Sequence, residues 1–446
     1  MSVSDVPSSD SRRSFLKSAA LPLTAASASR VLGANSRIQT ALIGVGNIGF
    51  RHLSAYLVPT FQQQTGDIQV VGFSDIYTGR VARSRDFLKL EQKHIHHDYH
   101  DLLARKDIDA VFICTPEHWH FQMAMDALKA DKDIYLEKPV TYTIEQARVL
   151  AEAVRKSDRI VQVGSQHLSD LRYHMAKEVI AKGWIGKPLW AQTSYSVNSL
   201  YGCWNMYLIE DQANAKTVDW KRWLGTAPGR PFSGERYFRW RKYWDYCGGV
   251  GTDFFYHRLS PLLHTLGPAF PTRVAGMGGV FLDRDREVPE TYSTVIEYDS
   301  FMINISASTG AAHGERGMTP TIYGHEAMIQ FQPGAITVTP EPLFAKKFEA
   351  ATGQKSVRME TAQWADRPIR QAHMENFFAC VRSRKQPVYG MDLGYQVMTA
   401  IRMGVDSYRE GRILAFDPKS ERILDRVPPR VGYEGDGSNS PEAKLV

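Results

Sequence analysis

Three stretches of the chain carry residue types that could do chemistry together. In Glu137-Lys138-Pro139 a lysine follows a short apolar run, Asp133–Leu136. A lysine at a strand end can donate to a substrate hydroxyl and steady a developing alkoxide. Taken alone, it could equally be a solvated lysine in a surface ion pair. Pro139 would fix the backbone there and is a candidate for a cis bond. Asp253 and His257 stand four apart, after the glycine turn that begins at Gly248. At helical spacing they share a face, where the carboxylate could orient an imidazole acting as general base. The plainer alternative is an acidic residue at a helix N-terminus beside a packed histidine. No third ligand stands at recognisable spacing, so no metal is expected.

The third stretch is Gly44-Val45-Gly46-Asn47-Ile48-Gly49, after the apolar Ala41, Leu42 and Ile43. Gly44 would make a tight turn. Gly46 would let backbone approach a pyrophosphate, and Gly49 would let a helix pack on the strand. The helix N-terminus then offers free N–H groups and a positive dipole end to phosphates. Asp75 closes the next apolar run, Ile68–Ser74, where a carboxylate can bind ribose hydroxyls. It lies 26 residues beyond Gly49, and a loop over Pro59–Asp67 would absorb the excess. A carboxylate here favours NAD, because it would repel a 2′-phosphate; Arg80 leaves NADP open. Thr115-Pro116-Glu117-His118-Trp119-His120 follows the run ending at Cys114 and would sit beside such a cofactor. Alternatively Pro116 starts a helix and the histidines are incidental.

Two further clusters are less specific. His94, His96, His97 and His100 read as a solvated loop before a metal site. The run Tyr237–Tyr246, with Trp240, Arg241 and Tyr246, is either a sugar-stacking wall or packing.

These residues need elements to hold them. Strand patterns at Ile68–Ser74, Asp109–Thr115, Asp133–Leu136 and Arg159–Val163 alternate with helical ones. The helical patterns lie at His52–Leu57, Thr78–Leu90, Tyr99–Arg105, Trp119–Ala130 and Thr143–Lys156. Continuous apolar strands alternating with helices predict an α/β, doubly wound parallel sheet over residues 37–164. In such a sheet the glycine motif, Thr115–His120 and Glu137-Lys138-Pro139 all reach strand C-terminal ends. Residues 165–417 read differently, as an α+β domain with a large, mainly antiparallel open sheet. Its strand patterns are Leu189–Val197, Tyr292–Tyr298, Met302–Ser308, Thr321–Tyr323, Met328–Phe331 and Ala335–Thr339. Helical periodicity marks Ile369–Arg382 and Gly394–Gly411. Residues 418–446 form a polar tail.

A length of 446 residues exceeds one core and implies about two or three domains. The net charge of +6 is small, and no basic tract is present, so nucleic acid is not an expected partner. Four dispersed cysteines argue against a thiolate zinc site and against a disulfide scaffold, and leave room for one disulfide outside the cytoplasm. Residues 1–36 carry Arg12-Arg13-Ser14-Phe15-Leu16-Lys17 and an Ala-rich run, Ala19–Ala28, too short and polar to span a bilayer. They resemble a twin-arginine (Tat) signal, an export address implying a periplasmic protein.

In this order, the glycine motif, Asp75, Thr115-Pro116, Glu137-Lys138-Pro139 and Asp253-x-x-x-His257 resemble the Gfo/Idh/MocA family from about Arg37 to about Pro418. The resemblance implies an N-terminal Rossmann domain and a second α/β domain whose open sheet makes a homo-oligomer, a dimer or tetramer. It implies Lys138 beside the nicotinamide and substrate hydroxyl, His257 as acid/base and Asp253 as its support. Cofactor contacts are then expected from Gly44, Gly46, Asn47, Ile48, Gly49, Asp75, Arg80, Thr115, Pro116, His118, His120, Glu137, Lys138 and Gln166. Substrate contacts are expected from Trp240, Arg241 and Tyr246.

The first expected function is NAD(P)-dependent hydride transfer at a hydroxyl of a sugar, sugar derivative or cyclitol. The second is an NAD-dependent glycoside hydrolase that keeps its cofactor through a redox-neutral oxidation–elimination cycle. The third is a sugar-binding protein without turnover.

Overall fold

The computed structural model describes residues 37–312, 317–361 and 368–428. The export-signal reading of residues 1–36 and most of the expected tail lie outside these residues. Two sheets organise the rest. The first holds six strands, all parallel, in the order β3-β2-β1-β4-β5-β6. They are β1 (Ile38–Ile43), β2 (Ile68–Ser74), β3 (Ile95–His96), β4 (Ala110–Ile113), β5 (Asp133–Glu137) and β6 (Val161–Gly164). β4 and β5 are buried at every residue because helices cover both sheet faces. The order reverses between β1 and β4, which opens a crevice at their C-terminal ends.

The second sheet has ten strands: β7 (Pro188–Ser194), β8 (Arg273–Gly279), β9 (Thr291–Glu297), β10 (Met302–Ser308), β11 (Thr321–Gly324), β12 (Ala327–Gln332), β13 (Ala335–Pro340), β14 (Val357–Glu360), β15 (Leu414–Asp417) and β16 (Arg422–Ile423). Their order is β14-β13-β12-β11-β7-β10-β9-β8-β15-β16, and β7 beside β10 is the parallel pair in an otherwise antiparallel ladder. Burial alternates along β9 and β10, so one face packs on helices and the other stays open.

Three expectations change. Pro59–Asp67 is not a loop: helix Asn47–His52 continues as a wider, π-wound helix, Leu53–Gln64, leaving Thr65–Asp67 as the link. Leu53, Leu57, Val58 and Phe61 bury one side of it, which outweighs the donor lost at Pro59. β8 escaped notice because Gly276, Gly278 and Gly279 hide its alternation. Helix Ile369–Ser383, far along the chain, packs on the first sheet: Met374, Phe377 and Phe378 share a core with Phe73, Phe112 and Tyr135. Its backbone is tied in as well, because Gln162 Nε2 donates to the His373 carbonyl at 2.7 Å. The sequence boundary near Gly164 is therefore not a boundary in packing.

Candidate active site

A cavity of about 530 Å³ runs along the C-terminal edge of the parallel sheet. Its floor is the turn after β1. Gly44 has φ +86°, and a Cβ there would meet the Cys114 carbonyl oxygen at 3.0 Å. A Cβ on Gly49 would fall 2.1 Å from the Gly44 carbonyl oxygen. Gly49 lies beneath the cavity and lets the helix close on the turn. No side chain caps helix Asn47–His52, so its first N–H groups have no intrahelical partner; Asn47 and Ile48 line the cavity.

Asp75 braces this turn. One carboxylate oxygen accepts from the Val45 N–H at 2.9 Å and the other from the Tyr77 N–H at 3.0 Å. Arg80 faces Gly46 and donates to the Tyr237 hydroxyl at 2.9 Å. Arg83, which sequence reasoning missed, holds the Val45 carbonyl at 2.7 Å. Asp75 and Arg80 both line the cavity.

At the next strand ends, Thr115, Pro116 and His120 line the same cavity. His120 is buried between two carbonyl oxygens, Nδ1 2.6 Å from Pro139 and Nε2 2.8 Å from Thr115. It ties the β4 turn to the Lys138-Pro139 peptide, which is cis. His118 corrects an expectation: it is turned away from the cavity, with Nε2 2.9 Å from the Trp223 carbonyl oxygen. Burial lowers its pKa to about 4, so it packs as a neutral ring.

Glu137 lines the cavity with one oxygen 2.7 Å from His52 Nε2, and Gln166 Nε2 donates to that oxygen at 3.3 Å. Burial alone would raise Glu137; the His52 hydrogen bond and charge, with Arg370 and Lys138, bring it below the usual carboxylate range. Gln166 also reaches the Tyr135 hydroxyl at 3.1 Å.

Lys138 Nζ donates to Asp253 Oδ1 at 2.6 Å and to the Asp253 carbonyl at 2.8 Å. Arg241 Nε adds a third contact to Asp253 Oδ1 at 3.2 Å. Burial would raise Asp253, but these two cations hold it at about 2. The expected Asp253–His257 pairing does not form. The helix breaks at Phe254, between Val250–Asp253 and Phe255–Leu266, and the carboxylate turns to Lys138. His257 lines the cavity, with its ring 5.3 Å from that of His167 and its Nδ1 buried without a hydrogen bond. Burial, then the charges of Lys138, His167 and Arg370, holds it well below its usual 6.5, so it is neutral at neutral pH.

The aromatic run divides. Trp240 and Arg241 line the cavity and stack, the guanidinium 4.1 Å from the ring centre. Tyr246 does not reach it, a second correction: it is fully buried in an aromatic core with Trp223 and Tyr237. The Tyr246 ring fills the space between Trp223 and His118. Glu117, close enough to feel the Asp253 charge, is a residue that sequence reasoning passed over. It is buried and accepts from the Thr252 hydroxyl at 2.9 Å, and burial with the Asp253 charge pushes it up to about 8. Arg370 also lines the cavity, from a helix 113 residues beyond His257; nothing in the local sequence marks it. In the histidine cluster, His97 pairs with Asp219 at 3.3 Å and His100 with Asp98 at 2.7 Å. Among the described residues no group of three or more His, Cys, Asp or Glu could hold a metal. All four cysteines are buried and free, so the disulfide allowed for does not form.

The sequence model for an oxidoreductase family, NAD-binding Rossmann fold, of the Gfo/Idh/MocA group matches residues 38–165. Two models of the family's C-terminal alpha/beta domain match residues 226–416 and 170–275. An inositol 2-dehydrogenase of Salmonella typhimurium is 33% identical over 153 residues, 34% of this chain and 44% of that protein. The uncharacterized oxidoreductase YrbE of Bacillus subtilis is 34% identical over 152 residues, 34% of this chain and 42% of its own length. The chain thus spans less than half the length of these two relatives. A scyllo-inositol 2-dehydrogenase (NAD(+)) of Bacillus subtilis is 24% identical over 390 residues, 86% of this chain and 97% of that one. Among solved structures, a levoglucosan dehydrogenase in complex with NADH and L-sorbose shares the fold. Its TM-score is 0.64 at 20% identity, over 85% of this chain and 99% of that one. With the Rossmann half and the C-terminal half both matched, in that order, this chain belongs to the Gfo/Idh/MocA oxidoreductase family.

Proposed function

We propose that the chain is an NAD-dependent oxidoreductase acting on a hydroxyl of a sugar, sugar derivative or cyclitol. One observation carries this reading: the buried Lys138–Asp253 pair and neutral His257 line the same cavity as the glycine turn. The turn suits a dinucleotide. It leaves no room for a Cβ at Gly44 or Gly49, and it presents uncapped N–H groups. Asp75 stands where ribose hydroxyls would be bound, and Arg80 leaves NADP open. When bound, the nicotinamide supplies the hydride chemistry.

The chain's own residues supply position and proton handling. An ammonium has three donors, and Asp253 takes two of those on Lys138. The third is free to donate to the reacting hydroxyl oxygen. Asp253 stays ionised between Lys138 and Arg241, so it orients rather than accepts protons. His257 is neutral and takes the hydroxyl proton. Trp240 and Arg241 supply an aromatic and polar wall for a polyol. The dehydrogenases named above support this substrate class.

The test is absorbance of reduced nicotinamide when the purified full chain meets NAD with a panel of inositols and aldoses. Reduction that disappears in Lys138→Ala is expected. A protein that binds sugars yet turns over none would point to the non-catalytic reading.

A second reading is the redox-neutral glycosidase with retained NAD. What favours it is the closure of the adenosine end by residues 204–246. Tyr77 donates to Glu210 at 2.6 Å and Arg80 to Tyr237. The Thr78 N–H meets the Thr217 carbonyl and the Asp219 N–H the Ile76 carbonyl, each at 3.0 Å. Release of a nucleotide on denaturation, with glycoside cleavage and no net reduction of added NAD, would establish it. Tat export of residues 1–36 fits this reading and is tested by cell fractionation. The open sheet face exposes Met277, Val295 and Met302, a surface for a homo-oligomer that light scattering would size.

A further inference from the structure

The substrate end of the cavity holds more cation than anion. Lys138 and Arg241 share a single carboxylate, Asp253. The Glu137 carboxylate is engaged by His52 and Gln166. Arg370 opens helix Ile369–Ser383 and lines the same cavity. It has no hydrogen bond or ion pair among the described residues, and its Nη1 is buried without a partner. Its charge is felt by His257, His167 and Glu137, which places it at the catalytic end. Arg370 is half-buried, and a guanidinium nitrogen left buried without a partner is costly. An oxidised nicotinamide is itself a cation, so it would aggravate this surplus. The pyrophosphate has its own donors at the glycine turn and the helix start after β1.

We propose that Arg370 binds a carboxylate carried by the substrate, so that the substrate is an acidic sugar or cyclitol of the uronate type. The proposal rests on the oxidoreductase reading above. The planar guanidinium matches a carboxylate in bidentate geometry. The bound anion would balance Arg370 and hold the ring against Trp240, with a hydroxyl offered to Lys138 and His257.

The test uses the full chain, matched pairs such as glucuronate with glucose and galacturonate with galactose, and the variants Arg370→Ala, Arg370→Gln and Arg370→Lys. The expected result is a wild-type preference for the acidic member in kcat/KM. The acid-to-neutral ratio should fall by about 30-fold in Arg370→Ala, mostly through KM, and recover in part in Arg370→Lys. NADH affinity is measured by fluorescence titration in each variant. A loss of NADH affinity with an unchanged sugar ratio would assign Arg370 to the cofactor and overturn the proposal, as would a wild-type preference for neutral sugars. Thermal protection of the NADH-loaded protein by uronate is read separately. Protection lost in Arg370→Ala, without turnover of any sugar, would keep the anion site and defeat the oxidoreductase reading. Absence of both protection and preference would defeat the anion site. Arg370→Gln, checked by circular dichroism, covers the case in which Arg370→Ala does not fold.

Discussion

The Lys138 ammonium touches Asp253 twice, at the carboxylate and at the same residue's carbonyl, 2.6 and 2.8 Å away. A strand end of the first sheet is thereby locked to a helix break of the second domain across 115 residues of sequence. Asp253→Asn leaves Lys138 and Arg241 without their counter-charge. We expect kcat/KM to fall on the order of 100-fold and stability to fall by about 3 kcal/mol. Kinetics and thermal denaturation of one preparation check both. The folded Asp253 sits at about 2, below its unfolded value. Its stabilisation is thus complete above about pH 4 and lost only as pH falls toward 2.

His257 should set the acid limb of the rate profile. Its folded pKa lies well below 6.5, so activity stays on a plateau through neutrality and falls only in the acid range. A plot of kcat/KM against pH reads this directly. An acid limb centred above 6.5 would contradict the assignment of His257 as the base.

Glu117 predicts a pH dependence of stability with the opposite sign. Its pKa is raised to about 8 in the fold, so the folded state keeps a proton that the unfolded chain loses above about 4.5. Stability therefore declines as pH rises from about 4.5 through 8, and Glu117→Gln should flatten that decline. The buried neutral histidines His118, His167 and His373 act on the other side. Each has a folded pKa of about 4, so stability falls as pH drops from 6.5 toward 4. Melting temperatures of wild type and Glu117→Gln across this range separate the two.

Trp240 and Tyr246 should part company under mutation. Trp240→Ala removes a cavity wall and should raise KM with little loss of stability. Tyr246→Ala empties a buried site and should cost about 3–5 kcal/mol, with KM unchanged in the folded fraction. Equal KM effects would show that Tyr246 reaches the substrate.

Gly49→Ala tests the cradle without touching the substrate end. The added Cβ would fall 2.1 Å from the Gly44 carbonyl oxygen, so helix and turn must separate. NADH affinity should drop at least about tenfold, which fluorescence titration measures.

Much of this protein is written locally. The parallel strands read as apolar runs because both faces are covered, and Gly44-x-Gly46-x-x-Gly49 reads as a turn too tight for side chains. Lys138 and His257 are legible because each sits in a short motif beside a strand end or glycine turn. Tyr246 and His118 misled for the reverse reason. An aromatic or histidine beside functional neighbours looks functional until packing shows which way it points.

The sequence by itself determined the alternation of β1, β2, β4, β5 and β6 with their intervening helices, the dinucleotide turn and the residue types available for proton transfer. These depend on contacts within a few residues and on periodic burial. Only the tertiary structure decided the partners. It gave Asp253 to Lys138 and Arg241 instead of His257, raised Glu117 by burial, and brought Arg370 to the cavity from a distant helix. Partner choice and pKa depend on which surfaces exclude water together, and that is settled by packing between segments more than a hundred residues apart.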